Sequence, residues 1–274
     1  ESTWGTGRAG WHVGCSAMST CCLGDTFDIH GGGPDLPFPH HENEIAQSEA
    51  ATGKKYVNYW MHAGAVRVDD EKMSKSLGNF FTIREVLKKY HPGVVRYFLL
   101  SSHYRSPISY SEDNLMEAKA GLERFYTALR SFASIPAASL GHLKGSEYYQ
   151  RFVNSMNDDF NSREALAVMY DLVREINTVA KTDIKQAEAL VAELKGMGAV
   201  LDILGTDPEA FMQGSSRIDS GNNLEAEDIE ALIADRVAAK KGRYFSRADE
   251  IRDELLSQGV ILEDSREGTT WRRE

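Results

Sequence analysis

The chain has 274 residues, of which 42% are hydrophobic and 26% charged, and its formal net charge is −10. At roughly 150 residues per domain this length predicts two or three domains, and no apolar run reaches the roughly 18 residues that a membrane-spanning helix needs. The acidic balance also argues against a protein that coats nucleic acid nonspecifically, because phosphate contacts need clustered Lys and Arg.

The first hundred residues alternate strand-like runs with glycine-rich turns, which is typical of an α/β domain. A strand is expected over 26–30, entering the glycines at 31–33, and a helix is expected over 42–52. Farther along, Thr82 is the expected N-cap of another helix, because Glu85 follows three residues later in a capping-box pattern. The N-terminal part of the chain is therefore expected to be α/β.

Apolar residues then begin to recur every three or four positions, as they do on one buried face of a helix. They are Leu115, Ala118, Leu122, Phe125, Leu129 and Phe132. A second helix is expected after Asn161, which Glu164 follows as in a capping box, and a third over about 183–204. Core packing explains these stripes, and they predict a helix bundle over 111–205.

Residues 206–223 are polar and rich in glycine, which predicts a linker. A helix is expected after the linker because Ile229, Leu232, Ile233 and Val237 share one face. Next, Ser246 with Asp249 three residues later predicts a capped second helix, and two strand patterns near the end predict a hairpin. A small α+β module is therefore expected over 224–274.

A basic island interrupts the acidic composition in this module, and Tyr244 and Phe245 lie between its cations. The cations are Arg236, Lys240, Lys241, Arg243, Arg247 and Arg252. Basic groups that hold phosphates, beside aromatic faces that stack unpaired bases, suit single-stranded RNA. An ordinary amphipathic helix with a solvated basic face would have the same composition, and it remains the alternative.

The stretch Lys72-Met73-Ser74-Lys75-Ser76 places two ammonium groups and two hydroxyls in one loop. Such a loop is suited to gripping a polyphosphate, which indicates ATP chemistry. A solvated turn is the alternative, since short runs of Lys and Ser are common on protein surfaces.

His40 and Glu44 are four residues apart at the start of the expected helix, so both side chains project from one face. Cys15 would join them from a neighbouring strand end. Thiolate, imidazole and carboxylate are all accepted zinc ligands, so a metal site is one interpretation of these three residues. A surface His–Glu pair and a buried, inert cysteine are the alternative.

These features occur together with three longer motifs, GWHVGCSAM at 10–18, FDIHGGGPDL at 27–36 and FPHHENEIAQ at 38–47. In combination they resemble the cysteinyl-tRNA synthetases, a family of class I aminoacyl-tRNA synthetases, from about residue 4 to residue 273. The resemblance implies ATP-dependent attachment of L-cysteine to tRNA(Cys) through a cysteinyl-adenylate intermediate. The chain would then be an enzyme, a cysteine–tRNA ligase.

The resemblance also implies a fold class of α/β plus mainly α. Residues 1–110 would form the C-terminal part of a Rossmann-type catalytic domain, with the metal ligands and the Lys-Met-Ser-Lys-Ser loop. A helix bundle over 111–205, the linker over 206–223 and an anticodon-binding module over 224–274 would follow.

The resemblance assigns zinc (Zn2+) to Cys15, His40 and Glu44, with a second protein cysteine from a preceding half of the catalytic domain. Because zinc prefers a thiolate to a hydroxyl, it would separate cysteine from serine as substrate. Lys72 and Lys75 would be catalytic, placed against the leaving pyrophosphate, and Mg2+ would accompany ATP.

The remaining assignments are contact residues. ATP would contact Lys72, Met73, Ser74, Lys75, Ser76, His30 and Gly32. The amino-acid substrate would lie against Trp11, His12 and Asp35. Transfer RNA would be bound by Lys240, Phe245, Asp249 and Asp264, whose carboxylates can accept from base amino groups.

Class I synthetases also carry a His-x-Gly-His motif, which the eight histidines of this chain do not form. The chain is therefore expected to be a fragment, inactive alone. Two other readings stay open, a ligase that joins cysteine to an amino-sugar pseudodisaccharide and a non-catalytic tRNA-binding relative. Departures from the family pattern at Gly14, Pro34 and Pro37 affect the geometry of the pocket.

Three cysteines, two of them adjacent at Cys21 and Cys22, do not make a disulfide framework and indicate a reducing compartment. With no targeting peptide visible, a cytoplasmic location is expected. The expected partners are tRNA(Cys), ATP and L-cysteine, with no membrane, and the protein is expected to be a monomer.

Overall fold

The structure is a computed structural model that describes residues 1–3, 5–68, 71–72, 82–214, 224–265 and 268–273, with backbone only at 71 and 72. The chain divides into two compact units, Glu1–Asn79 with Ser102–Ser111, and Phe80–Ser101 with Glu112–Glu274. Within the described residues, every helix is too short or too polar to cross a membrane.

The first unit is α/β, as predicted. Its elements are α1 (Trp11–Leu23), β1 (Phe27–Gly32), a π-helical turn (Pro37–His41), α2 (Glu42–Thr52), β2 (Val57–His62), β3 (Val66–Val68), β4 (Glu71–Lys72) and β5 (Ile108–Tyr110). Strands β1 and β2 are parallel, with Gly32 opposite His62, and α2 makes the crossover between them. Phe27, Tyr56 and Val57 form the buried cluster beneath this β-α-β unit.

A second, three-stranded sheet in this unit has the order β4-β3-β5. Strand β3 runs antiparallel to β4, where Arg67 lies opposite Lys72, and parallel to β5. The predicted strand over 26–30 and the predicted helix over 42–52 are both confirmed, the helix with the expected bounds. One placement is wrong: Cys15 lies inside α1, not at a strand end, because residues Trp11–Leu23 are helical.

The second unit is mainly helical. Its elements are α3 (Ile83–Lys89), α4 (Pro92–Leu100), α5 (Glu112–Leu129), a 3₁₀ turn (Arg130–Phe132), α6 (Glu147–Asn157), α7 (Ser162–Val179), α8 (Ile184–Val200), α9 (Pro208–Met212), α10 (Ala226–Lys241), α11 (Phe245–Ser257), β6 (Val260–Asp264) and β7 (Thr269–Arg273). The whole apolar stripe predicted for α5 and the turn after it is buried. The bundle thus follows from the periodicity of the sequence.

Two predicted caps are confirmed. Thr82 and Glu85 form a complete capping box at α3, in which the Thr82 hydroxyl accepts from the Glu85 amide at 3.2 Å. The Asn161 side chain accepts from the Glu164 amide at the start of α7. In both places a short polar side chain satisfies an amide that the first turn of a helix leaves without a partner.

Several details of the second unit differ from expectation. Helices α4 and α6 were not predicted, and α8 ends at Val200 rather than at about 204, because Asp202 and Leu204 have left-handed backbone with φ of 50° and 64°. Ser246 does not cap α11, which begins one residue earlier at Phe245 after a tight turn, and the residue at its N-cap, Tyr244, makes no capping hydrogen bond with its side chain.

The C-terminal module is two helices and a hairpin. Strands β6 and β7 pair antiparallel, as predicted, with Glu263 opposite Thr270 and Asp264 opposite Thr269. Its core consists of Ile229, Ile233, Ile251, Leu255, Val260 and Trp271. Within the predicted linker, Pro208–Met212 form helix α9 with a buried face, while residues 215–223 lie outside the described residues.

Candidate functional site

Cys15, His40 and Glu44 come together in the first unit. Cys15 lies on α1, His40 on the π-helical turn and Glu44 in the first turn of α2, and α1 packs against α2. One ligand atom from each residue lies within 4.8 Å of those of the other two. The spacing of His40 and Glu44 predicted their shared face, whereas packing of the two helices supplies Cys15.

Glu44 is the unusual member of this group, because its carboxylate is completely buried. Oε1 lies 3.0 Å from His40 Nε2 and Oε2 lies 2.9 Å from His30 Nε2. Neither contact has the alignment of a hydrogen bond, so among the described residues both oxygens lack a well-aligned donor, although the Cys15 thiol is close enough to interact with this carboxylate. A buried carboxylate in this condition is costly, and a cation between Glu44, His40 and Cys15 would satisfy it.

The Cys15 thiol fits the same interpretation. Burial, and then the negative charge of Glu44, raise the pKa of Cys15 above its ordinary value. A thiol beside a bare carboxylate therefore stays protonated, whereas a cation at this place would favour the thiolate and offset both effects. The donor set of sulfur, nitrogen and oxygen is one that zinc accepts.

Two histidines that the sequence did not single out complete the surroundings. His41 is buried, and its Nδ1 lies 2.9 Å from Nε2 of His62 at the end of β2. Burial, and then the neighbouring histidines, lower the pKa of His41 to about 4, so its ring is neutral near neutral pH. His30, His41 and Glu44 also place three ligand atoms within 4.8 Å.

Gly32 packs against this histidine cluster. A Cβ at position 32 would lie 2.8 Å from the His41 ring and 2.8 Å from Leu36, so a side chain there would displace His41. Packing against His41 and Leu36 therefore explains why a glycine is needed at position 32, in addition to its predicted contact with ATP. His30 likewise faces Glu44 in the structure, and its contact with ATP stays a prediction.

Of the predicted substrate residues, Trp11 lies beside this site. Trp11 is 84% exposed, and its ring centroid is 6.2 Å from that of His40. His12 is half-buried on α1, and Asp35 is exposed in the turn after β1. An exposed tryptophan beside a candidate metal ligand is unusual for a core residue and suits a ligand-binding role.

The predicted phosphate loop is mostly outside the described residues. Met73, Ser74, Lys75 and Ser76 lie there, and so does the side chain of Lys72. The Lys72 backbone belongs to β4. The role of this loop therefore stays a prediction.

In the second unit, Asp264 and Lys240 lie together at the end of β6. The Asp264 carboxylate accepts from Nη1 and Nη2 of Arg236 at 2.8 Å each, from Lys240 Nζ at 3.0 Å and from Thr269 Oγ1 at 2.7 Å. Arg236 is buried, and its forked contact is the main cause that holds the pKa of Asp264 far below its usual range.

These four donors from the described residues occupy the acceptor positions of a carboxylate. A base amino group can reach Asp264 only if one donor leaves, and Lys240, whose side chain is 42% exposed, is the most accessible of the two cations. The sequence placed Arg236 in a basic island but did not identify it as the partner of Asp264, because that pairing joins residues 28 positions apart.

Exposed aromatic rings mark the start of the next helix of this module. Tyr244 is 71% and Phe245 62% exposed at the start of α11, and Asp249 lies exposed on the next turn. Large apolar side chains left in solvent next to cations are what stacking on unpaired bases requires.

Two family models match parts of this chain. The model of the family described as "tRNA synthetases class I (C) catalytic domain" matches residues 1–120, and that of the "DALR domain" matches residues 151–205. The Cysteine--tRNA ligase of Azotobacter vinelandii (strain DJ) is 62% identical over 272 residues, 99% of this chain and 57% of the relative. That of Stutzerimonas stutzeri (strain A1501) is 59% identical over the same shares. The chain thus spans little more than half the length of these relatives.

Among solved structures, the agnB2 LeuRS of Agrobacterium radiobacter K84, in a ternary complex with tRNA and LeuAMS, aligns with a TM-score of 0.50. The identity is 17%, and the alignment covers 70% of this chain and 28% of that one. At this identity the likeness supports the fold alone.

Proposed function

Because the chain belongs to the class I aminoacyl-tRNA synthetases, in their cysteine–tRNA ligase branch, we propose that it carries part of the machinery that attaches L-cysteine to tRNA(Cys) at the expense of ATP. The supporting observation is the convergence of Cys15, His40 and Glu44 on one point, with a buried Glu44 carboxylate that lacks hydrogen bonds among the described residues. A buried acceptor of this kind is suited to a cation.

In this proposal Cys15, His40 and Glu44 hold zinc, and His30, 2.9 Å from the second oxygen of Glu44, limits where that carboxylate can lie. Zinc, when bound, supplies a Lewis acid that prefers a substrate thiolate to a hydroxyl, which a purely apolar pocket cannot achieve. Trp11 and His12 line the entrance for the amino acid, and Asp35 provides a carboxylate for its ammonium group.

The ATP side of the reaction uses the loop at 72–76. Lys75, and secondarily Lys72, stabilise the negative charge that develops on the leaving pyrophosphate, and Mg2+ accompanies ATP. Loss of one oriented charge of this kind costs about 3 kcal/mol, roughly a hundredfold in rate. His30 and Gly32 lie at the end of β1, where the backbone can approach the nucleotide.

Transfer RNA is recognised by the C-terminal module. Phe245 stacks on an unpaired base, Asp249 and Asp264 accept from base amino groups, and Lys240 contacts phosphate or a base edge. The division into a catalytic part over 1–110, a bundle over 111–205, a linker and a module over 224–274 belongs to the same proposal. So do a cytoplasmic location and a monomeric state.

Cobalt substitution tests the metal centre with a readout that does not depend on activity. We expect the chain loaded with Co2+ to show a thiolate-to-metal charge-transfer band, because Cys15 is a ligand. The band is expected to disappear in Cys15→Ser and in His40→Ala. It is expected to persist in His142→Ala, which removes an exposed histidine.

The exposed cysteines provide the decisive control. The double variant Cys21→Ser/Cys22→Ser removes the other two thiols of the chain, and it should leave the band unchanged. A band that is lost in this variant and kept in Cys15→Ser would overturn the proposed metal centre.

A further inference from the structure

Arg130 joins three separate segments of the second unit. It lies in the turn that follows α5, and only 16% of its side chain is exposed. Its Nε and Nη2 donate to the two carboxylate oxygens of Glu209 at 2.7 and 3.0 Å, and Nη1 contacts Glu263. Nη2 also lies 3.2 Å from the Thr270 hydroxyl. A planar guanidinium with several fixed partners specifies direction as well as distance.

These partners belong to elements that the helix bundle does not otherwise include. Glu209 is in the first turn of α9, while Glu263 and Thr270 face each other across the β6–β7 hairpin. Arg272 Nε adds a contact to Glu263 at 3.2 Å. Arg130 therefore connects the end of α5 to both the short helix and the hairpin of the C-terminal module.

The attachment lies one residue from the proposed base-reading carboxylate. Glu263 directly precedes Asp264 on β6, and neighbouring residues of a strand point to opposite faces. Glu263 thus contacts the bundle side through Arg130, while Asp264 contacts Arg236 and Lys240 of α10 on the other side. Movement of Glu263 relative to the bundle would move Asp264 with it.

The energetics favour a role in orientation over one in stability. Glu209 and Glu263 are each 40% exposed, so solvent screens their attraction to Arg130, and the net contribution of such pairs to stability is small. Apolar packing already holds α9 to α5, since the Tyr126 and Phe211 rings stack with centroids 4.0 Å apart. The hairpin has its own core on α10 and α11. The guanidinium of Arg130 adds a fixed orientation of α9 and the β6–β7 hairpin relative to the end of α5.

We propose that Arg130 is a positioning residue for tRNA recognition, which fixes strand β6 on the helix bundle through Glu263 and so sets the place of Asp264. Arg130 itself does not touch the tRNA. The inference rests on the proposed function only in taking tRNA as the ligand, because the fixing of β6 can be measured without it.

The first measurement is hydrogen exchange by mass spectrometry on the 274-residue chain. Arg130→Met keeps most of the side-chain volume but removes the guanidinium and its paired N–H donors. Arg130→Lys keeps the positive charge but not the paired donors. We expect faster exchange in peptides covering 208–214 and 260–273, with α6 unchanged, and a smaller effect for the lysine variant. Arg151→Met is the matched control, since Arg151 pairs with Asp171 on the bundle, away from the hairpin.

The second measurement is the affinity of the same variants for tRNA(Cys) and for a copy with an altered anticodon. We expect Arg130→Met to weaken cognate binding about tenfold, equivalent to about 1.4 kcal/mol, and to reduce the discrimination between the two tRNAs. The melting temperature should fall no more than in Arg151→Met. Glu263→Gln should have a similar effect. The double variant should not add to it, because both changes remove the same Arg130–Glu263 contact.

The outcomes separate the two proposals. Exchange in 260–273 that is the same in Arg130→Met as in the wild type would overturn the role of Arg130. If the wild-type chain binds tRNA, discrimination in Arg130→Met equal to that of the wild type would overturn it as well. If the wild-type chain binds no tRNA, the proposed function of the module fails, and the exchange pattern still decides whether Arg130 fixes β6.

Discussion

The carboxylates of Glu44, in the first unit, and Asp264, in the second, have opposite surroundings. Glu44 is completely buried, and among the described residues neither of its oxygens has an aligned donor. Asp264 is 47% exposed, yet each of its oxygens accepts two hydrogen bonds. A buried acceptor without aligned donors is suited to a cation, whereas an exposed acceptor whose positions are all filled can take a new donor only if one of its present donors leaves.

The largest effect that this comparison predicts is at Glu44. We expect Glu44→Gln to weaken zinc binding by at least about a hundredfold, because even loss of an outer contact to a metal site costs roughly 10–100-fold. Competition with a chelating dye measures this directly. The matched control is Glu49→Gln, near the end of the same helix. Equal zinc affinity in the two variants would contradict a special role for the Glu44 carboxylate in binding the metal.

The next effect concerns the support of Glu44. His30 Nε2 lies 2.9 Å from Glu44 Oε2, on the side away from His40. We therefore expect His30→Ala to lower zinc affinity roughly 10-fold to 100-fold, less than loss of the carboxylate itself. If His30→Ala matched the wild type in the dye assay, His30 would have no part in holding the metal ligand.

A smaller effect is expected at Asp264, and it depends on pH. Because its partners hold the pKa below the ordinary value of about 3.9, the stability it contributes is present above that value and is lost as pH falls further. Asp264→Asn should lower the free energy of unfolding by about 1–2 kcal/mol near pH 7, a figure reduced for solvent screening.

Urea unfolding at several pH values measures this contribution. The difference between wild type and Asp264→Asn should shrink below about pH 4, where the unfolded-state carboxyl becomes protonated. Asp25→Asn serves as control, since Asp25 contacts only the exposed Lys54 in the described ion pairs. A difference that stayed constant down to pH 2 would mean that the charge of Asp264 is not what stabilises the module.

The smallest effect on stability distinguishes Asn161, which caps α7, from Ser246, which was expected to cap α11 but does not. Asn161→Ala should lower stability by about 1 kcal/mol, because it removes the acceptor of the Glu164 amide. Ser246→Ala should change it by less than about 0.5 kcal/mol, because Ser246 lies inside α11 rather than at its cap. Thermal unfolding of the two variants side by side checks this pair, and equal losses would contradict the observed start of α11.

Local patterns explain what the sequence could predict. Helix α2, the buried stripe of α5 and the Asn161 cap depend on residues a few positions apart, so periodicity and capping rules predict them. Helix α6 was missed although its signal is local, because Ser146 caps it and Tyr149, Phe152 and Met156 recur on one face.

The contacts that distinguish the two sites are long-range. His41 meets His62 across 21 positions, Arg236 meets Asp264 across 28, and Arg130 meets Glu263 across 133. Spacing along the chain carries no signal for such pairs, which packing of whole elements brings together. The closeness of His40 and Glu44, the candidate metal ligands, was predictable because one helical turn joins them.

Cysteine-dependent exchange of pyrophosphate into ATP tests the central claim most directly, on the chain joined to its native upstream sequence. We predict exchange with cysteine and at least about a hundredfold less with serine, because discrimination depends on a thiolate bound to zinc. His40→Ala should abolish the exchange, and His142→Ala should not change it. Equal exchange with serine, or full exchange in His40→Ala, would contradict the claim that Cys15, His40 and Glu44 hold the metal that selects the substrate.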